Sequence, residues 1–499
     1  MMRIFYLLLL ICPLVAPAVT KQKVDHDYVV ELARTLVKKP YDADRGRVAK
    51  AFRTLDYDSY RRILFRREKS LWSEDNLPFR AQFFHPGFIH NYKVELNEFT
   101  EGYAQRIPFN REWFEYHQVR FPFWAYWNTD YAGFRLLHQL NETGKWDEVI
   151  SFLGASYFRA LARGQVYGIS ARGIAINTGE DEPEEFPRFS RFWLGKPARD
   201  AEVMVVHGLL EGPSITGAYT FIVRPGDDTM VDVKATLFMR KEVKSLGLAP
   251  LTSMFWFGEA SPHRFGDFRP EVHDSDGLLV AMDENTRIWR PLDNPSTKRL
   301  AHFPVGAFHG FGLLQRDREF HSYEDLEARY EARPGLWVEP MGQWPKGEIR
   351  LMELPTNTEH HDNVVAWWIP VETPRPGTAP LELSWRLHWS NAGTFGGPAG
   401  WVKSVRRTIQ DGAPGRTQFV IDYAFADAVD PTQPPEADIT APHGVEIASH
   451  QVIYNPTTQS WRLDLRLAAQ PDMKSPGVRV RLVRNGAAVT ETLDLPWQP

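Results

Sequence analysis

Along most of this chain apolar and polar residues alternate with a period of two. Clear examples are residues 201–207, 216–223 ahead of the turn Pro225-Gly226-Asp227-Asp228, and 230–239, where Val231, Val233 and Ala235 share one face. A strand with one buried face needs this alternation, because successive side chains point to opposite sides of a sheet. Such runs recur about every 8–12 residues between turn residues, which predicts antiparallel sheets packed as a sandwich. Helical spacing is confined to three stretches. From Asp27 to Lys39, Val29, Leu32, Ala33, Leu36 and Val37 fall on one stripe that Pro40 ends. A second predicted helix runs from Ser322 to Arg333 before Pro334, and a third, more apolar, covers 147–161. Nothing repeats at a fixed period, which disfavours a propeller or solenoid.

The clearest predicted boundary is Pro370 to Pro380, where four prolines in eleven residues suit a stiff connector. Strand-like runs follow at 381–389, 417–424, 447–454, 460–467 and 478–483, with a proline-rich loop at 431–442. That length fits an immunoglobulin-like module. The expected organisation is a signal peptide over 1–18, a large β-sandwich domain over 19–372 and an immunoglobulin-like β-sandwich over 381–499.

The signal is read from Arg3, the apolar run Phe5–Val15 and the small residues of Ala16-Pro17-Ala18. No twin-arginine pair precedes it, so the general secretion route is expected, with a soluble mature chain starting near Val19. Cys12 is the only cysteine, and Ile11 before it argues against a lipoprotein start. The mature chain therefore has no disulfide, thiol nucleophile or thiolate metal site. A net charge of −5 and a pI near 6.4 lack the basic excess of a nucleic-acid binder. Aromatic residues make up 13%, with 17 Trp, enough for a large core and for rings that cover sugar faces.

Two polar clusters carry the candidate chemistry. One is Arg269-Pro-Glu271-Val-His273-Asp274-Ser-Asp276-Gly277; extended, it directs Glu271, His273 and Ser275 one way and Val272, Asp274 and Asp276 the other. The second is Glu353 to Asn363, with Glu359-His360-His361-Asp362-Asn363 ahead of the apolar run Val364–Trp368. Three readings stay open: polar loops with turn carboxylates, a metal site, or a carboxylate pair for glycoside cleavage. Adjacent His360 and His361 would point to opposite faces of a strand, which disfavours a metal. No Gly-x-Ser-x-Gly elbow and no phosphate-cradling loop is present, so serine hydrolysis and phosphoryl transfer are poor fits.

Several runs taken together resemble the family of periplasmic glucan biosynthesis proteins G and D. They are 152–161, 165–173, 184–187, 249–255, 269–278, 288–292, 310–318, 337–340 and 353–368, all in one order. The resemblance is strong over about residues 25–370 and looser beyond. It implies a galactose-mutarotase-like sandwich followed by an immunoglobulin-like one, a linear β-1,2-glucan as ligand, and no metal or other cofactor. The inner-membrane glucan synthase and a second copy of the chain are further expected partners; nucleic acid is not. By the same resemblance the general acid of an inverting reaction falls on Asp362 and the general base on Asp274.

The apolar run after Asp362, with Glu359 before it, would keep that acid protonated, and His273 would hold Asp274 ionised. Further candidates for the substrate site are His273, Asp276, Glu359, Arg269, Arg290 and Arg316, with Trp289, Trp337, Trp344 and Tyr323 as stacking rings. Two functions remain: an inverting β-1,2-glucanase or transglycosylase, and a non-catalytic glucan-binding protein. The presence of both aspartates favours the first, and the ordinary secretion signal favours the G branch.

Overall fold

A computed structural model describes residues 23–261, 265–409, 415–469 and 477–496; the expected signal peptide lies outside them. The fold is mainly β and sandwich-like, as the alternation predicts. One layer is a ten-stranded sheet running from Phe79–Phe84 through Leu246–Ser253 and Val364–Pro370 to Arg299–Val305. The facing layer belongs to a fifteen-stranded sheet whose centre holds Thr229–Met239, Leu381–Ser390 and Gly335–Met341. In Thr229–Met239 the expected face is buried: Val231, Val233, Ala235 and Leu237 join the core between the layers. Antiparallel partners Ile215–Arg224 and Leu381–Ser390 flank it on either side.

The N-terminal helix spans His26–Val37, starting one residue before the predicted stretch and ending two residues inside it. Asp25 caps it by accepting from the amide of Tyr28 at 2.9 Å. Its stripe, with Val29 and Ala33 at the centre, packs on Trp193, Leu209, Ala218 and Phe238 from the outer face of the large sheet. Burying a valine side chain there contributes roughly 1.5–3 kcal/mol.

The other two predicted helices do not form as expected. Residues 147–161 are two strands, Asp147–Leu153 and Tyr157–Ala160, joined through left-handed Gly154 and Ala155. Against its partner the first strand carries an extra residue at Val149, so adjacent Val149 and Ile150 are both buried and the period-two signal is lost. Residues 322–333 give only short turns, Phe320–Tyr323 and Tyr330–Ala332. Glu324 and Arg329 adopt left-handed backbone that an α-helix excludes.

The proline segment crosses from one layer of the sandwich to the other. Leu381–Ser390, expected to open the C-terminal module, instead pairs with Thr229–Met239 and Gly335–Met341 in the large sheet. The module's four-stranded sheet begins at Gly400–Ile409 and continues with Arg416–Phe425, Ser460–Ala469 and Val445–Asn455. Its remaining strands join the large sheet, because Thr492–Leu495 lies parallel to Arg287–Pro291. A second core, including Trp289, Trp337, Phe419 and Trp461, fills the space between them. Among the described residues no helix is long and apolar enough to cross a membrane.

Candidate active site

The short strand Val272–His273 pairs with Phe255–Phe257 and is held by Val272, which packs among Met254, Phe257, Tyr323 and Tyr330. Alternation places Glu271 and His273 on one side, as expected. Beyond His273 the chain bends at Asp274 and again at Asp276. The Asp274 amide donates to Met254 O and the Asp276 amide to Leu314 O, both at 2.8 Å. Asp276 thereby turns to the His273 side, not to that of Asp274.

Asp274 is buried and accepts a hydrogen bond from Arg333 Nη1. Arg333 also donates from Nε to Ala328 O, and its guanidinium lies 4.2 Å from the centre of the Tyr330 ring. The Tyr330 hydroxyl donates to Glu359. Glu359 receives Arg269 Nη1 at 2.8 Å and Nη2 at 3.2 Å, while the same guanidinium binds Asp267 and Asp325 at 2.7 Å each. Burial raises the pKa of Glu359, but the hydrogen bonds from Arg269 and Tyr330 outweigh it and hold the carboxyl below its usual range. The two sequence clusters therefore meet, joined by Arg269, Tyr330 and Arg333.

The segment from Leu354 to Asn363 is fixed at both ends. Buried Asn363 accepts from the Phe255 amide at 2.9 Å and donates to Phe255 O at 3.0 Å and Leu354 O at 2.9 Å. Asn294 grips Thr356 through both backbone groups, at 2.7 and 2.9 Å. Asp362, one residue before the anchor, stays at the rim: its side chain is 41% exposed and lies 3.7 Å from Arg159. Arg159 is held by Ser170 at 2.6 Å. Nearby Arg172 stacks over Tyr157 and donates to Glu184 at 2.8 Å.

Burial pushes the Asp274 pKa up, Arg333 opposes it, and the charge on Asp362 adds to the rise. The two aspartates thus sense each other without touching. His273 does not take the place expected beside Asp274; Arg333 does. His360 and His361 are exposed in the turn before Asp362 and do not lie on a strand.

His273 heads a second polar centre that faces the C-terminal module. Its Nε2 meets Glu271 at 2.8 Å, and its Nδ1 meets Gln315 Oε1 at 3.0 Å and Asp276 at 3.3 Å. Glu259, Glu271 and Asp317 bring one carboxylate oxygen each within 4.8 Å of one another, the only such group among the described residues. Burial, Glu271 and Asp317 raise Glu259 to about 8; burial, Asp276 and Glu271 raise Asp317 to about 7. The spacing would suit a cation, yet neighbouring His273 and Lys403 already supply positive charge.

Several expected ligand contacts are instead structural. Trp289 is buried beneath the Arg316 guanidinium, 3.5 Å from its ring centre, and Trp337 stacks on Phe395 at 4.7 Å in the second core. Tyr323 is fully buried, and Trp344 lies in the main core with Nε1 donating to Ser384 O at 2.9 Å. Arg290 pairs with buried Glu353 at 3.4 Å, and Arg316 with buried Glu491 at 2.6 Å. None of these side chains presents a free face beside Asp274 and Asp362. Sequence reasoning missed Tyr157, Arg159, Arg172 and Arg333. The first three lie inside the runs 152–161 and 165–173 that carry the resemblance, so the signal was present without a role attached.

The two polar loops thus set buried Asp274 near Asp362 at the rim, with Arg333 beside the first and Arg159 beside the second. Comparison with known proteins gives the family: the model "Periplasmic glucan biosynthesis protein, MdoG" matches residues 24–497. The chain belongs to this periplasmic glucan biosynthesis family. It is 42% identical over 475 residues to "Glucans biosynthesis protein G" of Ralstonia nicotianae, covering 93% of this chain and 94% of that one. The protein of the same name from Pseudomonas putida is 39% identical over 471 residues, 92% and 84% of the two chains, and that from Dickeya dadantii 37% over 478, 93% and 91%.

Proposed function

We propose that this protein acts in the periplasm on linear β-1,2-glucan as an inverting glycosidase or transglycosylase. Asp362 is the general acid and Asp274 the general base. The observation that carries the reading is that the two aspartates stand on separate loops within electrostatic reach of each other, one at the rim and one buried. Asp362 stands at the rim, where an incoming sugar reaches it, and Asp274 is buried and tied to Arg333. In an inverting reaction one carboxylic acid protonates the departing glycosidic oxygen while the other carboxylate takes a proton from the attacking oxygen on the opposite face. The Asp362 proton passes to the leaving oxygen as the C–O bond breaks. The nucleophile, water or another sugar's hydroxyl, loses its proton towards Asp274, and Arg333 stabilises the carboxylate form that receives it. Arg159, beside Asp362, is the group placed to bind sugar hydroxyls; buried Arg172, bound to Thr252 and Glu184, backs the Tyr157 ring beyond it.

The test is incubation of purified protein with linear β-1,2-glucan, following product size and reducing ends. Wild type is expected to redistribute chain lengths. Asp362→Asn and Asp274→Asn each lower the rate at least about 100-fold, within the usual contribution of general acid–base groups. Activity unchanged in both variants would remove the site assignment. Binding of the glucan by wild type with no change in its length would leave the role of a glucan-binding protein.

A further inference from the structure

On the outer side of the large sheet, remote in its residues from Asp274 and Asp362, lies a polar cavity of about 210 Å³. Five cations line it, Arg45, Lys93, Arg106, Arg188 and Arg191, against three carboxylates, Glu95, Asp130 and Glu211. Each carboxylate is already engaged. Glu95 pairs with its register neighbour Arg191 at 2.9 Å, and Asp130 with Arg106 at 2.7 Å and Lys93 at 3.5 Å. Glu211 accepts from Ser190 at 2.5 Å and lies 3.6 Å from Arg45.

Arg188 is left over. It is only 8% exposed, and among the described residues no carboxylate lies within 4.0 Å of it and its Nε has no acceptor. It donates to Arg45 O and lies over the Tyr92 ring, 4.4 Å from the centre. Removing a guanidinium from water without a counter-charge is costly, so a burial of this kind calls for an anion. Gly46 lines the cavity with φ +80°, and a Cβ there would crowd Arg188 Nη1 at 3.2 Å, so a glycine at this position lets the guanidinium lie against the cavity wall.

We propose that this cavity is a binding site for a small divalent oxyanion of the phosphate class, held chiefly by Arg188. The net surplus of two positive charges matches such an ion. The volume is several times the roughly 30 Å³ share of one water. A planar guanidinium with free donors is also the side chain best suited to bidentate contact with a tetrahedral oxyanion. The site is independent of the glucan reading and stands whether or not that reading does.

The experiment is calorimetric titration of the full chain with inorganic phosphate at low salt, with chloride at matched ionic strength as control. Saturable one-to-one binding is expected, weakened at least about tenfold in Arg188→Gln. In Arg45→Gln, whose side chain is half exposed and tolerates replacement without unfolding, a loss of about threefold or more is expected. A methyl phosphate arm distinguishes sources: equal affinity means that the cavity takes an esterified phosphoryl group, and much weaker affinity means free phosphate. No saturable binding by wild type, the same response to chloride, or unchanged affinity in folded Arg188→Gln overturns the proposal. If that variant does not fold, unchanged affinity in Arg45→Gln does so.

Discussion

His273 shows how one residue acquires a charge from its surroundings. The Gln315 amide nitrogen donates to His273 O at 3.1 Å and Tyr330 O at 3.3 Å, so its Oε1 is the atom that faces the imidazole. Both ring nitrogens then point at acceptors, Gln315 on one side and Glu271 on the other, and only the imidazolium donates to both. Burial alone would depress its pKa; the Glu271 hydrogen bond and the charges of Asp276, Glu271 and Asp317 outweigh that and raise it to about 9. The folded value stands above the unfolded one near 6.5. The stabilisation is therefore complete below about pH 6.5 and disappears as pH climbs through 9, roughly 3 kcal/mol in all. Glu259 and Asp317, raised to about 8 and 7, act with the same sign, because each binds more proton folded than unfolded. Urea denaturation of wild type and His273→Gln at about pH 6 and pH 9.5 checks this. The stability lead of wild type is expected to shrink at the higher pH, and a lead that does not change excludes the imidazolium.

At the scale of elements, the site depends on loops that short anchors hold to strands. Asn363 satisfies both backbone groups of buried Phe255 and the carbonyl of half-buried Leu354. Asn363→Ala strips the partners from those groups, and each buried orphan costs about 1–3 kcal/mol. The expected loss is roughly 3 kcal/mol or more in urea unfolding, with Asp362 no longer held at the rim. A change below about 0.5 kcal/mol would mean that the loop is held elsewhere. Alternation made Thr229–Met239 legible because one face is buried and its polar partners Asp232 and Lys234 face outward. It failed at 147–161 because the bulge at Val149 sends neighbouring residues to the core together, which mimics helical spacing. The clusters around Asp274 and Asp362 were visible as polar density, and the resemblance singled out those two residues. Their actual partners were not visible, since Arg333 reaches Asp274 across 59 residues of chain and nothing local marks such a contact. The tryptophans misled for a related reason: Trp289 and Trp337 carry no sign that a second sheet will cover them.

For the whole molecule, the C-terminal module is an extension of the sandwich and shares its hydrogen bonding. Ile288 and Trp289 pair with Thr492 and Leu493 in parallel, and one core holds Trp289 and Trp337 together with Tyr423 and Trp461. The junction is fastened by Arg316, which donates to Glu491 at 2.6 and 3.0 Å, to Val402 O at 2.7 Å and to Gly393 O at 2.9 Å. Glu491 in turn accepts from the Val402 amide at 2.8 Å. Both partners of the ion pair are almost fully buried. A module joined in this way has no surface along which to separate without exposing apolar rings and an uncompensated charge. Thermal or urea unfolding of the full chain is therefore expected to be a single transition, with near-ultraviolet and far-ultraviolet signals changing together. Glu491→Ala leaves the Arg316 charge buried and unpaired, and the expected cost is about 3–5 kcal/mol. That loss should lower the one transition as a unit, carrying the Asp274 site with it. Two resolved transitions in wild type, or a Glu491→Ala variant that destabilises only part of the chain, would show that the module and the sandwich fold separately.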